Sequence, residues 1–301
     1  MRPRTRRRCP QQHLYGQGTP RRRSGWSRKR AKQSGKQRMA EKKKKAKKAK
    51  STEIQVPKLK KVLIATPAYN GQVNIGYMRS VINVILQGPS HGYEINLFTN
   101  TDSLITRARN NAVATFLDGN WDRLFWIDAD ITFEPEQFFR VLDIDRDIAA
   151  AAYPLKAFSW PAQPTNLTGR ALEAFMLRYA LGLDGDIDNI PKDGFVPVRE
   201  AATGFMCINR ATIEMMIGML PDIQYKSDQE LLGAPSSQNH YLLFDTLVVD
   251  SRYLSEDYAF CHRAKDCGVS IWLDINSQLT HTGPFDFRGS IPETNRAATI
   301  G

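Results

Sequence analysis

Cysteine is scarce in this chain. Its four cysteines, Cys9, Cys207, Cys261 and Cys267, form no CxxC pair across 301 residues, which is too sparse for a disulfide framework or a zinc site. Reduced, mostly buried thiols are the expectation. No run approaches the roughly 18 to 20 apolar residues of a membrane helix, and the N-terminus lacks the apolar stretch of a signal peptide. Both absences point to a cytoplasmic chain without a transmembrane segment. A Gly-rich basic loop with the spacing of a triphosphate cradle is also missing, and no internal repeat is evident.

The first fifty residues almost lack acidic and apolar side chains. They hold 21 of the 42 Lys and Arg but one of the 31 Asp and Glu, Glu41, so they carry +20 and the remainder −9 of a formal net charge of +11. With so little apolar surface to offset the entropy of ordering, residues 1–58 read as a disordered basic tail and linker. Clusters such as Arg6-Arg7-Arg8 and Arg21-Arg22-Arg23 suit weak, salt-sensitive contact of residues 1–50 with nucleic acid or an anionic membrane. A solvated tail, or a stretch upstream of a start at Met39, fits them equally. The arm has few interleaved aromatics, Tyr15 and Trp26 being nearly alone, and the acidic remainder offers no evident basic groove. Both facts count against a nucleic-acid-binding protein that acts through this arm.

What is present suffices for one large core, with 42% hydrophobic and 10% aromatic residues. From residue 60 onward, short apolar runs alternate with amphipathic stretches, the pattern of βα units around a largely parallel sheet. Strands are predicted at residues 62–66, 93–99, 124–127, 147–152, 205–209, 241–249 and 269–273. Helices are predicted at 73–86, 104–117, 135–142, 172–181, 210–219 and 255–266. The third helix has Pro135 in its first turn, where a missing N–H is harmless. Residues 153–197, rich in Pro, Gly and Asp, read as a surface insertion.

The chemistry concentrates in a few segments. Asp128 and Asp130 end an apolar strand, and alternate residues of an extended backbone point the same way, so two carboxylates face one point. Hard oxygen ligands suit Mn²⁺ or Mg²⁺, and the carboxyl ends of strands are where open α/β sheets bind ligands. Helix capping before Pro135 is the alternative. In Thr66-Pro67-Ala68-Tyr69-Asn70, Pro67 stiffens the strand exit, Tyr69 offers a ring to a base, and Asn70 can bond a ribose or base edge. A plain βα turn is the alternative there. Arg107 and Arg109 sit near a helix N-terminus, a place already favourable to anions.

In order and spacing, four segments together resemble the GT-A glycosyltransferases. These are Ala65-Thr66-Pro67-Ala68-Tyr69-Asn70; Asp102-Ser103-Leu104-Ile105-Thr106-Arg107-Ala108-Arg109-Asn110-Asn111; Leu124-Phe125-Trp126-Ile127-Asp128-Ala129-Asp130; and Thr203-Gly204-Phe205-Met206 with the later Ser255-Glu256-Asp257-Tyr258-Ala259-Phe260 and His281-Thr282-Gly283. The second is similar to a segment in a bacterial and phage subset of family 2-like proteins and in fungal mannan-synthesis relatives. The resemblance spans residues 61–283 and implies a GT-A α/β fold, a mostly parallel central sheet flanked by helices. It further implies a transferase domain at 59–288, with 289–301 a C-terminal tail.

The same resemblance implies a nucleoside-diphosphate-sugar donor contacted by Thr66, Pro67, Tyr69, Asn70, Asp102, Arg107, Asn110, Asp128 and Ala129. It makes Asp128, Asp130 and His281 ligands of Mn²⁺ or Mg²⁺, and lets Thr203 and Gly204 line the sugar or acceptor pocket. Asp257 becomes the general base on an acceptor hydroxyl, with Glu256 as the alternative. Both carboxylates could instead complement the dipole of their helix. The expected activity is metal-dependent sugar transfer to an acceptor of unspecified class, a glycan, small molecule or nucleic acid. Inversion and retention both remain open. The rival readings are a nucleotidyltransferase and a nucleic-acid-binding protein.

Overall fold

The computed structural model describes residues 38–41, 58–183, 191–228 and 236–300. The chain divides into two units, residues 1–56 and 57–301. In the first unit, residues 38–41 form an exposed helical turn. The remainder of the predicted basic tail and linker lies outside the described residues.

The second unit opens with β1 (Lys60–Pro67), whose Val62 to Ala65 core is fully buried. The loop that follows ends at Asn74, whose side chain accepts from the Gly76 N–H at 2.7 Å and so caps α1 (Ile75–Gln87). Next come β2 (Tyr93–Asn100), α2 (Ile105–Asp118), β3 (Arg123–Ile127) and the two-residue β4 (Ile131–Thr132). Helix α3 (Pro135–Asp143) starts as the sequence indicates: Pro135 occupies its first turn, and Glu134 and Gln137 close a reciprocal capping box. Strand β5 (Ile148–Ala151) follows.

The stretch that reads as an insertion instead supplies α4 (Gly169–Met176), β6 (Leu181–Leu183) and β7 (Phe195–Ala201). The chain continues through β8 (Phe205–Asn209), α5 (Arg210–Met219), the hairpin of β9 (Leu247–Val249) and β10 (Arg252–Leu254), α6 (Glu256–Asp266) and β11 (Ile271–Asp274). It closes with β12 (Leu279–Thr282), β13 (Asp286–Gly289) and α7 (Ile291–Ile300).

Eight strands form the central sheet in the order β2-β1-β3-β8-β5-β11-β7-β6. The sheet is mixed. Strands β1, β2 and β3 pair in parallel, as do β5 and β11, whereas β8 runs antiparallel to both β3 and β5, and β7 antiparallel to β11. The expectation of a mostly parallel sheet therefore needs correcting at these junctions. A strand buried on both faces reads as one apolar run whichever way it travels, and the sequence of β8 carries no sign of its direction. Strand β7 escapes detection because Pro197 interrupts an otherwise alternating pattern.

Apolar layers cover both faces of the sheet. Ala112, Val113 and Phe116 of α2, Ile213 and Met216 of α5, and Phe260 and Ala264 of α6 belong to one. Tyr77, Val81 and Val84 of α1 and Phe138, Phe139 and Leu142 of α3 belong to the other. The three described cysteines, Cys207, Cys261 and Cys267, are free and buried. No described helix is long and apolar enough to cross a membrane.

The last residues are not an extended tail. Helix α7 buries Ile291 and Ala297, and Glu293 bonds Arg170 of α4 at 3.2 Å. Only two of its apolar positions are needed for that seat, which is too faint a pattern to read as a helix.

At the carboxyl end of β11, the fully buried Asp274 accepts from Arg140 at 2.8 and 3.1 Å, from Ser277 at 2.5 Å and from the Asn276 N–H at 3.0 Å. Replacing Asp274 by Ala strands these donors. We expect a loss of about 2–3 kcal/mol, seen as a lower urea midpoint at unchanged slope.

Candidate functional site

A cleft of about 560 Å³ opens beyond the carboxyl ends of β1 and β3. The loop after β1 gives it Pro67, Tyr69 and Asn74, and the turn after β3 gives it Asp128, Ala129 and Asp130. The starts of α2 and α6 contribute Arg109 and Glu256. Strand β12 and its turn contribute His281, Thr282 and Gly283, and the segment after β5 contributes Lys156. A second cavity, of about 570 Å³ around Tyr225 and Lys226, brings together only Lys226 and Asp228 as charged side chains among the described residues.

Backbone pairing fixes this arrangement. Strand β12 lies antiparallel to β4 with His281 opposite Ile131, and the Thr282 N–H donates to the Asp130 carbonyl at 2.9 Å. That register sets the His281 imidazole beside the Asp130 carboxylate, Nε2 to Oδ1 at 3.3 Å. On the other flank, the Asn74 N–H donates to the Ala129 carbonyl at 2.8 Å and ties the loop after β1 to the Asp-Ala-Asp turn. Asn70 adopts the left-handed conformation (φ 58°) ahead of Gly71 (φ 67°), which Asn tolerates better than most residues. Tyr69 beside it is left exposed.

Arg109 is buried yet charged. Its guanidinium meets Asp128 at 3.1 Å and Glu256 at 3.4 Å and lies 5.2 Å from the centre of the Trp126 ring. Burial opposes the charge, but Asp128 and Glu256 outweigh it and raise the arginine above its ordinary value. Its Nη1 atom and the Thr203 hydroxyl are buried without a hydrogen-bond partner among the described residues. Gly204 supports the same corner. It accepts from the Asp128 N–H at 3.0 Å and donates to the Tyr153 hydroxyl at 3.0 Å, and a Cβ there would come within 2.3 Å of that hydroxyl and 2.7 Å of Asp128 Oδ2. Burial first, then Asp128 and Asp257, drives the Tyr153 phenol well above its usual range.

Several residues singled out from the sequence stand elsewhere. Thr66 is fully buried, donating to the Ile127 carbonyl at 2.8 Å and sharing a 2.6 Å bond with the Tyr77 hydroxyl, so it joins β1 to β3. Asn110 is buried and accepts from the Phe244 N–H at 2.9 Å. Asp102 and Arg107 pair with each other at 2.7 Å outside the cleft, and Asp102 also accepts from the Leu104 N–H at 3.0 Å. Arg109 therefore fills the place expected of Arg107. Asp257 accepts from the Ser255 hydroxyl and from the Tyr258 N–H at 2.8 Å, which leaves Glu256 as the carboxylate lining the cleft. Lys156, absent from the sequence reading, donates to Asp130 Oδ2. Its one signal was its position, five residues beyond Ala151 at the carboxyl end of β5.

The expected metal ligands share the cleft without forming one cluster. Among the described residues no three His, Cys, Asp or Glu side chains converge, and Asp128 is held by Arg109. Asp130 and His281 are the two of them that face each other, a carboxylate and an imidazole of the kinds that could hold a divalent cation. The Pro154 carbonyl, 2.9 Å from His281 Nδ1, can only accept, so Nδ1 carries a proton. That leaves Nε2 turned toward a carboxylate oxygen, an arrangement that a proton or a shared cation completes. Burial raises Asp130, but hydrogen bonds from His281 and Lys156 prevail and hold it below the usual carboxylate range.

No family model matches the chain, and no curated protein does. Solved structures with partial likeness include A197 from STIV, at 14% identity and TM-score 0.40 over 74% of this chain and 86% of that one. Another is 4-diphosphocytidyl-2C-methyl-D-erythritol synthase from Anaerococcus prevotii, at 11% identity and TM-score 0.30 over 69% and 99%. A third is S. aureus TarS 1-349, at 11% identity and TM-score 0.33 over 73% of this chain and 59% of that one. Likeness at these scores carries no assignment, and the functional reading rests on the cleft.

Replacing Arg109 by Met leaves Asp128 and Glu256 without their buried counter-charge and should cost about 3 kcal/mol. Adding Glu256→Gln should recover about 1 kcal/mol of that loss. Urea unfolding of the two single variants and the double variant measures the coupling, and strictly additive losses would show that the pair does not interact.

Proposed function

We propose that this chain is a GT-A glycosyltransferase that moves a sugar from a nucleoside-diphosphate sugar to an acceptor hydroxyl. The observation that carries the reading is the facing of Asp130 and His281, 3.3 Å apart, in a cleft that also holds Arg109, Lys156 and the exposed ring of Tyr69. Such a set suits a ligand with an anionic diphosphate and an aromatic base.

In this reading Tyr69 stacks on the base and Arg109 holds Asp128 in place at the diphosphate. Asp130 and His281 would hold Mn²⁺ or Mg²⁺. Such a cation neutralises charge on a departing diphosphate. Glu256, with an oxygen toward Arg109 and its side chain on the cleft, takes the proton of the acceptor hydroxyl. Asp257 is the alternative base once it releases its own helix N-terminus. Gly204 keeps Asp128 and Tyr153 close by having no side chain.

The test is calorimetric titration of the whole chain with UDP, GDP, CDP and dTDP, with and without Mn²⁺, beside Asp130→Asn. One nucleotide should bind in a metal-dependent way and lose at least about tenfold affinity in the variant, the loss typical of one charge-assisted contact. Binding of none of the four, or equal binding by the variant, would overturn the proposal. Release of pyrophosphate in place of a nucleoside diphosphate during turnover would redirect it to nucleotidyl transfer.

A further inference from the structure

Each oxygen of the Asp130 carboxylate has a partner. Its Oδ1 faces His281 and its Oδ2 accepts from the Lys156 ammonium. The lysine arrives from the turn after β5, and its stem passes over the backbone of Gly283, where a Cβ would stand 3.1 Å from Lys156 Cδ and 3.6 Å from Cγ. A side chain at 283 would press on that path. The Lys156 side chain is 35% exposed, as is that of Asp130, so the pair sits at the cleft surface rather than in the core.

Two consequences follow from charge alone. A divalent cation held by Asp130 and His281 would share the carboxylate with the ammonium, and like charges on one carboxylate repel. A lysine, unlike an arginine, is a compact charge on a flexible four-carbon stem, so it can leave without unfolding its surroundings. A diphosphate entering the cleft brings the negative charge to receive it.

We infer that Lys156 is an exchangeable counter-ion. It neutralises Asp130 while the cleft is empty and moves onto a phosphate of the donor when a divalent cation takes Asp130 and His281. The inference rests on the proposed function above, on its cation for the first half and on its donor for the second. It makes metal and nucleotide bind cooperatively: neither holds well alone, because each needs the other to settle the lysine.

The experiment is calorimetry on the full chain and on Lys156→Met, Lys156→Gln and Lys156→Arg, first with Mn²⁺ alone and then with UDP, GDP, CDP or dTDP at saturating Mn²⁺. In the two neutral variants Mn²⁺ alone should bind about tenfold tighter, and the nucleotide about tenfold weaker, opposite signs that a merely damaged fold would not give. Lys156→Arg should stay within about threefold of the wild type in both arms. Mn²⁺ affinity unchanged or lowered in both neutral variants would overturn the inference, as would an unaltered nucleotide affinity. A wild type that binds none of the four nucleotides would instead sink the donor reading, and the Mn²⁺ arm would still decide the counter-ion role.

Discussion

A guanidinium removed from water must find its charge partners inside the protein, and Arg109 finds both on elements far apart in sequence. Asp128 ends β3, Glu256 begins α6, and Arg109 stands one turn into α2. Because the cation cannot be left alone, these three elements are held to one geometry at the floor of the cleft. Trp126 and Gly204 complete the seat, one as an aromatic wall and the other by its missing side chain. The rest of the cleft is built outward from this point, through the turn of Asp128 to Asp130 and the strand that pairs with it.

Much of the fold was legible because its elements announce themselves locally. The buried core of β1, the capped start of α3 and the continuous apolar run of β3 carry their signals within ten residues. What escaped depends on partners. Strand β8 gives no hint of its direction, since burial on both faces erases alternation. Strand β7 hides behind Pro197, and α7 takes its place by packing along α4. For β8 and α7 the deciding interaction is made with residues more than fifty positions away, and local pattern is blind to it.

The candidate site divides along the same line. Asp128, Asp130, Glu256 and His281 were recognisable from strand ends, helix starts and order along the chain, and they do share one cleft. Sequence spacing could not say which of two neighbouring arginines turns inward, and helical rotation chose Arg109. Nor could it separate Glu256 from Asp257, of which the second is engaged by its own helix start. Thr66 and Asn110 belong to the same motifs but work as internal fasteners, a role that motif order does not distinguish from ligand contact. Lys156 lay in a stretch with no readable pattern and became visible only through Asp130.

The pairing of β12 with β4 also has a bearing on how the protein is made. Asp130 leaves the ribosome about 150 residues before His281, and Asp128 waits nearly as long for the helix that carries Glu256. During that interval the nascent chain already carries two neighbouring carboxylates together with Arg109 and Lys156, the cations that pair with them in the fold. A one-residue slip when β12 finally docks would put Thr280 or Thr282 where the imidazole belongs. The cleft is thus completed by the last third of the polypeptide, and a product that stops short of β12 would carry all eight strands of the central sheet and no finished site.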